Sequence, residues 1–99
     1  MESFKDLING ETPVLVDFYA DWCGPCKAMS PVIKEVAAET RGQARVIKVD
    51  IDRSNDAARA YNVQAVPTFI IFKKGQIAWR HAGMIDKNSL VNALHQAMS

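Results

Sequence analysis

The stretch from Val14 to Ile51 constrains the fold more than any other part of the chain, because its hydrophobic period changes twice. VLVDFYA, residues 14–20, is an apolar run interrupted only by Asp17, the pattern of a strand covered on both faces. From Pro25 to Thr40 the apolar residues Met29, Val32, Ile33, Val36 and Ala37 recur at i, i+3, i+4, i+7 and i+8. That is one face of a helix, and Gly42 is its expected stop. RVIKVDI, residues 45–51, reads as a second strand. A helical connection between them is too long for a hairpin and is right-handed, so the two strands should lie parallel in one sheet.

The rest of the chain adds to this β-α-β unit. Phe4, Leu7 and Ile8 predict a short helix capped by Ser3 and stopped by Asn9-Gly10. A short helix is expected near Asn55–Tyr61, then Pro67 opening the strand TFIIF, residues 68–72. The turn KKGQ leads to IAWRHA, residues 77–82, as an antiparallel edge strand on which Trp79 should share a face with Ile77 and His81. Asp86 should cap a last helix with Leu90, Val91, Leu94 and Met98 on one face. The expected order is α-β-α-β-α-β-β-α, an α/β mixed sheet between helices. Ninety-nine residues, 48% hydrophobic and 23% charged, suffice for one core, so residues 1–99 are expected to form a single domain.

Charge excludes some partners. Twelve basic residues stand against 11 acidic ones, with no basic run longer than Lys73-Lys74, so nothing suits nucleic acid or an anionic membrane. The start MESFKDLING places Glu2, Lys5 and Asp6 where a secretory leader has an apolar run, and no stretch approaches membrane-spanning length. A cytoplasmic address is expected, where a lone cysteine pair is more often catalytic or metal-binding than a permanent crosslink.

Both cysteines lie in YADWCGPCKAMSP, residues 19–31, separated by Gly24 and Pro25. Three residues along a helix leave roughly 5 Å between Cα atoms, a separation that a disulfide accepts. As a staple the bridge would do little: loop-closure entropy is worth about 2 kcal/mol for four residues and about 3 for fifteen. A closed zinc site needs four ligands, and His81 and His95 sit on different elements without ligand spacing. No metal is expected, and both histidines read as surface residues.

A working redox pair accounts for more of the neighbouring residues. At a helix start, unpaired N–H groups and the helix dipole favour a thiolate, so Cys23 is expected to ionise readily and attack. Cys26, one turn deeper, should be shielded and keep its proton until a mixed disulfide forms, then resolve it. Pro25 suits the first turn, where its missing N–H has no helical partner, whereas Pro31 deletes a bond to the Lys27 carbonyl and should kink the helix. Asp17, in mid-strand, should be buried with its pKa raised by desolvation, Lys48 on the adjacent strand partly opposing that. Such an acid can exchange a proton with Cys26 near neutral pH. Trp22, beside the thiolate, suits docking of extended chains.

VDFYADWCGPCKAMSP, VIKVDID, VPTFIIFKKG and AGM resemble the thioredoxin family in order and separation, over nearly the whole chain from Val14 onward. WCGPC with a later V-P-T is a specific combination. The resemblance implies a thioredoxin fold of about four strands, lacking the usual first strand because the chain begins about where the first family helix does. It implies a monomeric reductant of protein disulfides, with no bound cofactor beyond a redox-active Cys23–Cys26 disulfide, recharged by an NADPH- or ferredoxin-linked thioredoxin reductase. By position, Cys23 is the attacking thiol and Cys26 the resolving one. Gly24, Pro25 and a cis proline, Pro67, tune the redox poise. Asp17 matches the buried acid and Lys48 its neighbour, while Trp22, Val66, Thr68, Ala82, Gly83 and Met84 match the substrate-docking rim. Tyr19 stands where a tryptophan is usual, and Ala65 where a glycine is common.

Two alternatives keep the same fold. One is a disulfide oxidase or isomerase, against which Gly24-Pro25 argues, since oxidising relatives usually carry a histidine there. The other is a docking module that uses the Trp22 rim and is indifferent to the thiols.

Overall fold

The computed structural model describes residues 3–98; Glu2, counted above against a secretory leader, lies outside them with Met1 and Ser99. The elements are α1 (Phe4–Ile8), β1 (Val14–Tyr19), α2 (Gly24–Glu39), β2 (Arg45–Asp50), α3 (Asn55–Ala60), β3 (Thr68–Lys73), β4 (Gln76–Ala82) and α4 (Lys87–Ala97). The sheet among the described residues has four strands in the order β2-β1-β3-β4. The helical crossover makes β1 and β2 parallel, with Asp17 opposite Lys48, while β3 runs antiparallel to both β1 and β4. This is the α/β mixed sheet expected from the sequence.

Strand alternation sends successive side chains to opposite faces, and this divides the core into two layers. Leu15, Phe69 and Ile71 pack with Met29, Ile33 and Val36 of α2 and with Leu90, Val91 and Leu94 of α4. On the other face Val14, Val16, Phe18, Ile70 and Phe72 pack with Ile8, joined by Phe4 and Tyr61. Phe4 meets Phe72 edge to face at 5.8 Å and Tyr61 at 5.6 Å, so one aromatic ring ties α1 to both the sheet and the end of α3. Covered on both faces, β1 is buried except at Tyr19. By the same alternation Asp17 shares the face of Leu15, beneath α2.

The helix ends follow the expected chemistry. Ser3 and Asp6 form a reciprocal capping box, the Asp6 N–H donating to Ser3 Oγ at 3.2 Å and the Ser3 N–H to Asp6 Oδ2 at 3.3 Å. Asp86 caps α4 by accepting the Ser89 N–H at 3.0 Å. The helix α2 continues through Pro31. Its C-cap is Thr40, and Gly42 beyond it takes φ +83°.

The hairpin between β3 and β4 turns on Lys74 (φ +55°) and Gly75 (φ +77°), the positive-φ pair that a tight two-residue turn requires. A Cβ on Gly75 would come within 2.9 Å of Asn9 Oδ1, the movable end of a side chain, so the positive φ and not this contact is what calls for glycine. One expectation fails on β4. Ile77 pairs with Phe72 and Trp79 with Ile71, a register shift that places the extra residue Ala78 between them. The bulge breaks the two-residue period, so Ile77 and Trp79 face opposite layers. Trp79 packs on the α2/α4 side and stacks on His81 at 6.0 Å, while Ile77 is exposed.

Leu15→Ala removes a fully buried side chain at the middle of the sheet and should lower the unfolding free energy by about 3 kcal/mol. Ile77→Ala should lower it by under about 1 kcal/mol. Urea titrations ranking the two the other way would contradict this layering.

Candidate active site

β1 ends at Tyr19, and the chain turns through Asp21 and Trp22, with the Cys23 N–H donating to the Ala20 carbonyl at 3.2 Å. Cys23 keeps extended backbone angles and serves as the N-cap of α2. Its carbonyl accepts the Lys27 N–H at 3.3 Å, and its Sγ accepts the Cys26 N–H at 3.1 Å. Sulfur thus occupies the position that an N-cap oxygen usually holds. Gly24 and Pro25 fill the first turn, where Pro25 forfeits no helical bond. Cys23 and Cys26 are joined by a disulfide, their Cα atoms 5.3 Å apart. A Cβ on Gly24 would meet nothing within 4 Å, so the first turn of α2 is open to solvent at that position. Burial does not separate the two residues: Cys23 is 4% exposed and Cys26 7%. The shielding expected of Cys26 alone is shared by both, because the bridge folds Cys23 against Ala20 and Val66.

Three segments distant in sequence converge here because the C-terminal ends of β1, β2 and β4 and the N-terminal end of β3 lie at one end of the sheet. The Val66–Pro67 peptide bond is cis, and the Val66 carbonyl oxygen lies 3.7 Å from Cys23 Sγ. The Gly83 N–H donates to the Pro67 carbonyl at 2.8 Å, at φ +97°, which fastens the 82–84 segment to the proline loop. Trp22, Ala82 and Met84 are exposed and Val66 is half-buried. Thr68 is turned inward: it is 1% exposed and its hydroxyl donates to the Ala65 carbonyl at 2.7 Å.

On the face of β1 that lies beneath α2, Asp17 is 2% exposed and its Oδ1 has no hydrogen-bond partner. Burial raises its pKa from 3.8 to about 6, against the opposing charge of Lys48. Lys48 is exposed on edge strand β2, its Nζ 4.5 Å from the centre of the Tyr19 ring. A cleft of about 290 Å³ is lined by Tyr19, Ala20, Asp21, Cys26, Lys27, Ser30 and Lys48. Two further partners were not singled out from the sequence: Tyr19 as the platform for Lys48, and Asp52, whose Oδ2 accepts the Trp22 Nε1–H at 2.9 Å. The signal for Asp52 was available, since VDID ends a parallel strand beside β1, where α/β sheets gather their functional loops. Among the described residues no group of three or more His, Cys, Asp or Glu is placed to hold a metal ion, and no helix is long and apolar enough to cross a membrane.

A disulfide at a helix start, beside a cis proline, marks a thiol–disulfide oxidoreductase. The thioredoxin family profile matches residues 1–96, and the chain belongs to that family. It is 46% identical over 85 residues to Thioredoxin 1 of Chlorobaculum tepidum, covering 85% of this chain and 84% of that protein. Chloroplastic Thioredoxin Y of Oryza sativa is 41% identical over 97% of this chain, which spans 58% of that longer protein. A bifunctional thioredoxin reductase/thioredoxin of Mycobacterium leprae is 44% identical over 92% of this chain, which spans 20% of its length. A mutant thioredoxin from Halobacterium salinarum superposes with a TM-score of 0.85 at 32% identity, covering 100% of this chain and 88% of that one.

The Asp17 carboxyl gives a pH signature. Folded, it holds its proton up to about pH 6, whereas unfolded it releases it near 3.8, so between these values the folded state binds more protons and stability falls as pH rises. Above about 6 the full penalty applies, about 3 kcal/mol at about 1.4 kcal/mol per pH unit. Asp17→Asn cannot ionise, so the oxidised variant should be the more stable protein at about pH 7.5, and the two should converge below about pH 4. Equal urea midpoints at the higher pH would mean that the carboxyl reaches water.

Proposed function

We propose that residues 1–99 act as one domain, a monomeric cytoplasmic reductant of protein disulfides recharged by a thioredoxin reductase, NADPH- or ferredoxin-linked. The observation that carries this reading is the Cys26 N–H aimed at Cys23 Sγ. Once the bridge is reduced, that donor and the other free amides of the first turn favour a thiolate on Cys23. The thiolate attacks one sulfur of the substrate disulfide; an S–S bond forms to Cys23, the substrate S–S bond breaks, and the departing sulfur takes a proton. Cys26 then passes its proton to Asp17, whose pKa near 6 suits it as a base around neutrality. The Cys26 thiolate attacks Cys23 Sγ, closes the internal disulfide and frees the reduced substrate. Two electrons and two protons from the reductase restore the dithiol. A relative that carries thioredoxin reductase and thioredoxin in one protein supports such a partner.

The other sites follow the same surface. Lys48, held over Tyr19, tempers the rise in the Asp17 pKa. Gly24, Pro25 and Pro67 tune the poise of the pair. Trp22, Val66, Ala82, Gly83 and Met84 form the rim along which an extended substrate lies, and Thr68 holds the proline loop from within. No cofactor, nucleic acid or membrane takes part.

Reduced Cys26→Ser protein mixed with insulin should accumulate a mixed disulfide through Cys23 that dithiothreitol releases, and Cys23→Ser should accumulate none. The intact chain should consume NADPH with insulin and a thioredoxin reductase. A Cys26→Ser variant that captures nothing would remove the attacking role of Cys23. A pair that remains disulfide in a glutathione buffer at cytosolic poise would make the protein an oxidant instead.

A further inference from the structure

Arg80 makes contacts that the redox chemistry has not used. It stands on β4 opposite Ile70 and is exposed. Its guanidinium reaches the end of α3, where Nη1 donates to the Tyr61 carbonyl at 2.9 Å and Nη2 to the Asn62 carbonyl at 3.3 Å. Helix ends leave carbonyls without partners and gather negative charge, so a cation is favoured there. The planar fork spans two successive carbonyls at once, which a flexible ammonium does less rigidly. The carbonyls before these are already used: Ala58 accepts the Val63 N–H at 2.8 Å and Arg59 the Asn62 N–H at 3.2 Å.

Asn62 takes φ +55°, and there the chain leaves the helix for the loop that carries Val66 and Pro67. β4 grips this loop twice. Arg80 holds its entry, and Gly83, just beyond the strand, holds its exit by donating to the Pro67 carbonyl at 2.8 Å. What the loop presents to the redox pair is the Val66 carbonyl oxygen, 3.7 Å from Cys23 Sγ. Once the bridge is reduced, a carbonyl oxygen at that place accepts from a thiol and repels a thiolate. Its position therefore governs how readily Cys23 reacts.

We propose that Arg80 is a positioning residue for the redox pair: by holding the Tyr61 and Asn62 carbonyls it fixes the entry of the proline loop, and with it the Val66 carbonyl against Cys23. Releasing the fork loosens that carbonyl and makes Cys23 more reactive. The inference rests on the reading of Cys23 as the ionised attacking thiol.

Alkylation by iodoacetamide at about pH 6 tests it in Cys26→Ser protein, where Cys23 is the one cysteine left. Arg80→Met removes charge and fork together and should raise the rate constant about threefold. Arg80→Lys keeps the charge without the fork and should raise it at least about twofold. Loss of the charge by itself disfavours a thiolate and slows the reaction, so the sign separates the two causes. Hydrogen exchange at the Asn62 and Val63 amides should quicken at least about fivefold in both variants, with Val16 and Phe18 on β1 unchanged. A rate constant that stays level or falls in Arg80→Met, an Arg80→Lys protein that matches the parent, or exchange that quickens equally on β1 would each overturn the proposal. A parent Cys23 that alkylates no faster than free glutathione would overturn the attacking-thiol reading and this inference with it, whereas a fast parent matched by Arg80→Met overturns the inference alone.

Discussion

The bond from the Cys26 N–H to Cys23 Sγ depends on a helix beginning at the right distance from the end of a buried strand. Every helix start leaves amides without partners, and most proteins cover them with a serine, threonine or aspartate. Here the cap is a sulfur that can be bridged or free. On the mechanism proposed above, capping and redox state are coupled, because the amide that faces a disulfide sulfur here would face a thiolate once the bridge is reduced. The rest of the architecture fixes that amide. Met29, Ile33 and Val36 seat α2 on the sheet, and the turn bond from Cys23 N–H to the Ala20 carbonyl sets where the helix may start.

The same packing that seats α2 buries Asp17. A carboxylate in an apolar strand lacks water and, at Oδ1, lacks any donor, so its ionised form is disfavoured. The lysine beside it softens this from an exposed edge position, steadied by the face of Tyr19. Tyr19, where the resemblance in the sequence leads one to expect a tryptophan, offers its ring face to the lysine at 4.5 Å.

Much of this was legible in the sequence for identifiable reasons. Val14–Tyr19 announced a doubly covered strand through its unbroken apolarity, and the stripe from Met29 to Val36 announced the crossover that forces β2 parallel. Asp17 was legible as a conflict, a charge where only apolar groups belong. What escaped depended on geometry that no local period encodes. The bulge at Ala78 is one inserted residue, invisible to a two-residue pattern, and it moved Trp79 and Ile77 to opposite faces. The bond from Trp22 to Asp52 joins residues thirty apart and required knowing that two parallel strands end side by side. The inward turn of Thr68 and the near-equal burial of the two cysteines follow from how loops fold over one another, which spacing does not report.

The site is thus assembled from ends. β1 delivers the sulfur, β2 the acidic turn, β3 the proline loop and β4 the segment pinned to that loop by Gly83. Strand directions alone place these four at one edge of the sheet, and a third small cluster, Ala20 with Cys23 and Cys26, packs there beside the two core layers. An extended chain of the kind proposed above as substrate would meet the exposed Trp22, Ala82 and Met84 along this edge, residues that reach it from the ends of β1 and β4.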